Sequence, residues 1–269
     1  MEMRSAIVVG ATGLVGSTLV KQLCESDEYV AVTVIARRAL DYSHPKLVVR
    51  IKEFDALAES DMEFAHEIFC CLGTTIKKAG SREVFEKIDV EYPVQIAAMA
   101  KNRGIQHMIV ISAMGANEKS FAYYNRVKGK MEKELIDIDL PQLSIVRPSL
   151  LVGNRSELRI GEKIGAAVLA VFNPLLIGPL KRYRSIKAEQ VALAMIVIAL
   201  YHKNTKLAIY PSNELAQMTP PELEEEPEMK REDLFNWNKL QSGNVLDEEV
   251  TFDKSKIKQY KVERDTPKD

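Results

Sequence analysis

VVGATGLVG, residues 8–16, sets three glycines between two apolar runs. The run before it, AIVV, is rich in branched residues and reads as a strand. The run after it, residues 14–24, spaces its apolar positions as a helix does. Strand, glycine loop and helix, in that order, are the context in which such a loop holds a pyrophosphate. Gly10 permits the tight turn, Gly13 keeps a Cβ out of the path of the phosphates, and Gly16 lets the helix pack close. The anion would rest on the free N–H groups of the first helical turn. Thr12, Leu14 and Val15 complete the cofactor-facing loop. A glycine turn that serves packing alone is the competing reading, and the flanking strand and helix argue against it.

Working outward, the same alternation repeats. VAVTVIA (residues 30–36), LVVRI (47–51), EIFCCLG (67–73), MIVIS (108–112) and LSIVRP (143–148) are short apolar runs. VAVTVIA is apolar at almost every position, as a parallel strand covered on both faces must be. Helical spacing is expected over residues 81–103, 121–136, 161–172 and 188–201, with KLAIY (206–210) as a late strand. Strands alternating with helices of this length predict an α/β fold built on a doubly wound parallel sheet. Residues 1–211 are read as this dinucleotide-binding domain, with a small substrate-side lobe at about residues 150–187. From Glu214 onward there are fifteen acidic and nine basic residues, and residues 212–269 read as an acidic tail. Its apolar knot, LFNW, holds the only tryptophan and is a candidate surface for docking on the domain itself or on a protein partner.

Composition narrows the function. The chain has 269 residues, 46% hydrophobic and 28% charged, with a formal net charge of −1. That balance gives no electrostatic footprint for nucleic acid. Three cysteines, two of them adjacent, do not form a disulfide framework, so a reducing, cytoplasmic setting is expected. The start, MEMRSAIVVGATG, runs straight into the first strand, and no secretory signal is expected there. Residues 164–180 carry no charge but are short and broken by prolines. A spanning helix needs about 20 apolar residues, so a buried helix is expected, with peripheral membrane contact as the lesser reading. The histidines are scattered and show no metal-ligand spacing, so no metal is expected.

The cofactor's identity turns on the end of the second strand. An NAD site places an acid there to hold the ribose 2′-hydroxyl. This chain has Arg37 and Arg38 instead. Guanidinium groups suit a 2′-phosphate, so NADP(H) is expected in preference to NAD(H). Asp55, after the third strand, is placed to accept from an adenine amino group. Cys71, Leu72, Gly73 and Thr74 lie at the end of the fourth strand and are expected to line the cofactor. Gly73 permits close approach, and Thr74 or Thr75 can donate to ribose or phosphate.

FAYYNRVKG, residues 121–129, offers two tyrosines to one lysine. On a helix Tyr124 and Lys128 share a face, whereas Tyr123 is turned away by roughly 100°. A nearby ammonium favours a phenolate, which makes Tyr124 the better acid–base candidate. Ser112 ends the fifth strand at the carboxyl edge of the sheet, where open α/β folds bind ligands.

GATGLVG, CCLGTT (70–75), ISAMGA (111–116), YYNRVKG (123–129) and VRPSLLVGNR (146–155) occur in the order seen in atypical short-chain dehydrogenase/reductases. Over about residues 5–211 the chain resembles the Tat-interacting-protein-like branch of that superfamily. The resemblance implies a Rossmann fold, NADP(H), and a Ser112–Tyr124–Lys128 active site, with Lys128 also reaching the nicotinamide ribose and Pro148 near the nicotinamide. The expected reaction is hydride transfer to a small carbonyl or quinone-like substrate, with Tyr124 as proton donor. The other expectation is a non-catalytic NADP(H)-sensing regulator that binds a protein partner. The acidic tail inherits nothing from the resemblance.

Overall fold

The computed structural model describes residues 3–153, 183–202 and 205–221. The helix expected at residues 161–172, the uncharged segment 164–180 and the tail beyond residue 221 lie outside the described residues.

Seven strands build one sheet: β1 (Arg4–Val9), β2 (Tyr29–Ala36), β3 (Leu47–Ile51), β4 (Glu67–Cys70), β5 (His107–Ile111), β6 (Gln142–Arg147) and β9 (Leu207–Pro211). Their order is β3-β2-β1-β4-β5-β6-β9, and every pairing is parallel. A parallel neighbour cannot be reached by a hairpin, so each strand is followed by a crossover, most of them helical. Among the described residues the helices are α1 (Leu14–Glu25), α2 (Ile76–Ala79), α3 (Arg82–Glu86), α4 (Tyr92–Asn102), α5 (Tyr123–Asp137), α6 (Ala188–Tyr201) and α7 (Ser212–Leu215). A two-residue ladder, β7 (Leu151–Val152) with β8 (Ile186–Lys187), stands apart from the main sheet.

The alternation of side chains along each strand explains the two cores. Ala6, Val8, Val32, Val34, Ile109 and Val146 point to one face and pack with α1 and α6. Ile7, Val9, Ile35, Met108, Val110, Leu143 and Ile145 point to the other and pack with α3, α4 and α5. A period of two with both faces covered makes the strands read as continuous apolar runs. The chain leaves β3 at one edge and re-enters at β4 beside β1. That reversal opens a crevice above the carboxyl ends of β1 and β4.

One expected helix is built differently. Residues 81–103 form α3, then a turn of π-helix (Lys87–Glu91), then α4. Pro93 stands in the first turn of α4 and has no N–H to give the preceding turn. The wide turn accommodates it, as π-bulges do where the i→i−4 ladder is interrupted.

Met1–Pro220 is one compact unit and Pro221–Asp269 a second. Within the first, the chain beyond residue 211 is still packed: Leu215 is buried, and Gln190 Nε2 donates to Leu215 O (2.9 Å) and Met218 O (2.8 Å). No helix among the described residues is long and apolar enough to cross a membrane.

Candidate active site

The loop after β1 is shaped by its glycines. Gly10 has φ +81°, and a Cβ there would lie 2.5 Å from the backbone carbonyl of Cys71. Only glycine tolerates both the conformation and the approach of the β4 end. Gly13 N–H donates to Gly10 O (3.0 Å), closing the turn. A Cβ at Gly16 would lie 2.3 Å from that same Gly10 oxygen, so Gly16 brings α1 down onto the loop itself. The first turn of α1 holds no acidic residue and no side-chain cap. Thr12 and Gly13 are exposed, Leu14 is half-buried, and Val15 is buried. Free N–H groups and a positive helix end therefore face an open loop, which suits an anion.

The other cofactor candidates follow β2, β3 and β4. Arg37 and Arg38 are both exposed just beyond β2. Asp55 lies in a short 3-10 turn (Phe54–Ala56). Its Oδ1 is 2.7 Å from Lys87 Nζ and accepts from the Tyr92 hydroxyl at 3.1 Å. The Lys87 ammonium holds the Asp55 carboxyl below its ordinary range. Lys87 also lies 5.8 Å from the centre of the Tyr92 ring, and Arg37 is within electrostatic reach of that phenol. Sequence reading missed Lys87 and Tyr92, because they come from the π turn and α4 and meet Asp55 only in three dimensions.

Cys71 N–H donates to Val9 O at 2.9 Å, tying the end of β4 to β1. Leu72 is buried and Gly73 exposed. Cys70 and Cys71 are free thiols, and burial pushes both upward, Cys70 to about 11. A thiol pushed upward is not activated in the way a nucleophilic cysteine is. Thr74 presents its N–H to Asp89 Oδ2 at 2.8 Å, and Thr75 Oγ1 accepts from Lys78 N–H at 3.3 Å as the cap of α2. The backbone donor of Thr74 is thus engaged.

The two tyrosines of α5 have different surroundings. Tyr123 packs between Arg82 and Arg126, 4.9 and 5.6 Å from its ring centre, and donates to Glu86 Oε1 at 2.9 Å. Burial and the Glu86 carboxylate push its phenol upward. Tyr124 is 40% exposed, with its ring 5.9 Å from the buried Phe85. Lys128 is 2% exposed on the same stripe of the helix. Its Nζ lies 2.8 Å from Asp89 Oδ1, and Asp89 is fully buried. Burial pulls the Lys128 ammonium downward, but Asp89 and then Tyr124 outweigh it, and its pKa lies above the ordinary value. The charge near the Tyr124 phenol is therefore half of a neutralised pair, not the bare ammonium that the spacing suggested. A Cβ at Gly73 would lie 3.5 Å from Asp89 Oδ1 and 3.7 Å from Lys128 Nζ, so the β4 end borders this pair.

Ser112 N–H donates to Val146 O (2.8 Å), and Met114 N–H donates to Pro148 O (3.0 Å). These bonds extend the β5–β6 pairing past the strand ends and fix Ser112 beside the buried Pro148. Ser112 Oγ is buried and has no hydrogen-bond partner among the described residues. Buried hydroxyls are normally paired, so one without a protein partner at a cofactor edge fits an incoming oxygen. A further, half-buried pair stands on α5: Glu132 receives Arg147 Nε at 2.9 Å and also its Nη2. Asp89 had a sequence signal. It falls on the stripe Phe85, Asp89, Tyr92, Ile96, where helical spacing calls for an apolar residue.

A dinucleotide fits these residues: a glycine turn opening on an uncapped helix, a close backbone approach at the β4 end, and an unpaired serine hydroxyl at the β5 end. A family model described as NAD(P)H-binding matches residues 10–167. The chain is 34% identical over 167 residues to Protein HTATIP2 of Rattus norvegicus, covering 60% of this chain and 69% of that protein. It is 34% identical over 158 residues to Protein FMP52, mitochondrial, of Debaryomyces hansenii, covering 57% and 69%. The solved structure of MoeE5 in complex with UDP-glucose and NAD superposes with a TM-score of 0.58 at 14% identity, over 76% of this chain and 74% of that one, a likeness of fold. The FMP52 name corrects the cytoplasmic expectation, since relatives named as mitochondrial conflict with it. Unpaired cysteines argue against an oxidising compartment but do not choose among reducing ones. The chain belongs to the NAD(P)H-binding Rossmann family of atypical short-chain dehydrogenase/reductases that includes HTATIP2 and FMP52.

Proposed function

We propose that the protein is an NADPH-dependent reductase of a small carbonyl or quinone-like substrate. The observation that carries this reading is the pairing of an exposed phenol, Tyr124, with a buried ammonium, Lys128, one helical turn away. A buried, unpartnered hydroxyl at Ser112 supports it. The loop of Gly10, Thr12, Gly13, Leu14, Val15 and Gly16 would hold the pyrophosphate on the α1 N-terminus. Arg37 and Arg38 would take the 2′-phosphate, Asp55 the adenine edge, and Cys71 to Thr74 the path towards the nicotinamide, with Pro148 against its ring.

A bound dinucleotide would supply the hydride for the carbonyl carbon. Tyr124 donates its hydroxyl proton to the carbonyl oxygen as that oxygen gains charge, which yields a neutral alcohol. Ser112 donates a hydrogen bond to the same oxygen. Lys128 keeps a positive charge beside the phenol and stabilises it once the proton has left.

The test is a fluorescence titration with NADPH and NADH, followed by a panel of carbonyls and quinones. Tyr124→Phe is expected to abolish turnover and leave NADPH affinity within about twofold, since the lost group acts on the transition state. Undiminished turnover in that variant overturns the assignment. Tight NADPH binding without turnover of any substrate would favour the dinucleotide-sensing regulator instead.

A further inference from the structure

We infer that Asp89 is a positioning residue of this site, one that couples the catalytic helix to the cofactor strand by holding Lys128 through one carboxylate oxygen and the Thr74 amide through the other. The inference rests on reading Tyr124 and Lys128 as the catalytic pair.

Three observations carry it. Asp89 is fully buried, its Oδ1 is 2.8 Å from Lys128 Nζ, and its Oδ2 accepts from Thr74 N–H at 2.8 Å. A carboxylate in that setting is costly unless its charge is met, and here Oδ2 accepts a hydrogen bond while Oδ1 is met by the Lys128 charge as an ion pair. It stands in the π turn Lys87–Glu91, the one place where the α3–α4 helix widens. Single π turns cluster at functional sites, and this one sets an acid, not an apolar side chain, on the buried stripe. Finally, Gly73 borders the pair with no side chain of its own, so the carboxylate, the ammonium and the β4 end converge at one point. The charged and titratable groups facing Lys128 are Asp89 from the π turn, Tyr124 from its own helix and Cys70 from β4. Asp89 is the only carboxylate among them, and burial pushes the Cys70 thiol up to about 11. Without Asp89, burial would dominate and Lys128 would lose its proton at lower pH.

The experiment compares wild type, Asp89→Asn and Asp89→Glu in the full chain. Turnover is measured against pH, NADPH affinity by fluorescence, and the Lys128 side chain by carbon-13 NMR after lysine labelling, with Lys128→Met identifying its resonance. Asp89→Asn is expected to lower kcat on the order of tenfold or more with KM little changed, because it misplaces a group acting in the transition state. Its Lys128 resonance and the alkaline limb of its pH profile are expected to move down together by about one unit or more. Asp89→Glu is expected to restore the titration and part of kcat. A purely structural role would lower stability and leave the pH profile in place, which would overturn the inference. If Asp89→Asn does not fold, the wild-type titration decides: a Lys128 that loses its proton at or below the ordinary lysine range overturns the coupling. A wild type with neither NADPH binding nor turnover defeats the reductase reading, while the NMR titration still measures the pair.

Discussion

Gly129→Ala is a small change with a large expected effect. Gly129 sits on α5 immediately after Lys128, where the helix crosses the loop that follows Ser112. A Cβ there would lie 2.3 Å from both Asn117 C and Glu118 N, which are backbone atoms with no flexible end to give way. Carbon contacts are comfortable from about 3.5 Å, so helix and loop must part by roughly 1 Å. Overpacking of this kind costs about 1–3 kcal/mol, against about 1 kcal/mol gained from replacing a mid-helix glycine by alanine. The net loss is about 0–2 kcal/mol, or up to roughly 8 °C in Tm for a domain of this size. The effect on turnover should be larger, because the helix carrying Tyr124 and the strand end carrying Ser112 are the two parts being separated. A misplacement near 1 Å can cost on the order of a hundredfold. Calorimetry gives the Tm and steady-state kinetics the turnover. NADPH affinity is measured alongside, because Lys128 stands next to Gly129 on the same helix. An alanine variant that melts at or above the wild-type temperature and keeps its kcat would show that the contact does not set the position of α5.

Two further outcomes follow from charges described above. The paired change Arg37→Ala and Arg38→Ala is expected to weaken NADPH by on the order of a hundredfold or more and NADH by much less, read by fluorescence titration; equal losses would remove the 2′-phosphate role. Stability is expected to fall as pH rises above about 9. The folded state raises the pKa of Cys70 from 9.0 to about 11 and holds Lys128 above its ordinary 10.5, so the unfolded chain releases these protons first. Both contributions are complete below the ordinary values and disappear as pH passes through the folded ones. Urea midpoints measured from pH 8 to pH 11 check this, and a flat profile would contradict both shifts.

The parts of the site that were legible in the sequence are the local ones. The glycine loop is contiguous, and its strand and helix lie immediately on either side. Tyr124 and Lys128 are one turn apart on a single helix, so their shared face follows from helical geometry alone. Ser112 and Pro148 stand at the ends of apolar runs, and a parallel sheet brings all such ends to one edge. What spacing could not give is the set of groups that meet across elements. Asp89 reaches Lys128 from another helix, Glu132 meets Arg147 across to β6, and Lys87 meets Asp55. The π turn was hidden because propensity does not distinguish it from ordinary helix. Pro93 and an acid on an apolar stripe were its only traces. The helical character of residues 81–103 was therefore read correctly, while the widened turn within it was not.

The stripe Tyr124–Lys128–Glu132 has a further consequence for how α5 finds its place. Along it the side chains run neutral, positive, negative, and the groups they meet include Asp89 at the second position and Arg147 at the third. If the helix docked one turn out of step towards its own N-terminus, Glu132 would be brought against Asp89, two carboxylates with little water between them. Like charges in such a setting repel strongly, and a buried charge without its partner is costly. The two ion pairs thus act as a two-digit combination that admits one docking of the helix and rejects its neighbour. Apolar packing alone discriminates poorly between such shifts, because Val, Met and Leu substitute for one another with little penalty. The same charges that surround the proposed chemistry also specify where the helix must stop sliding.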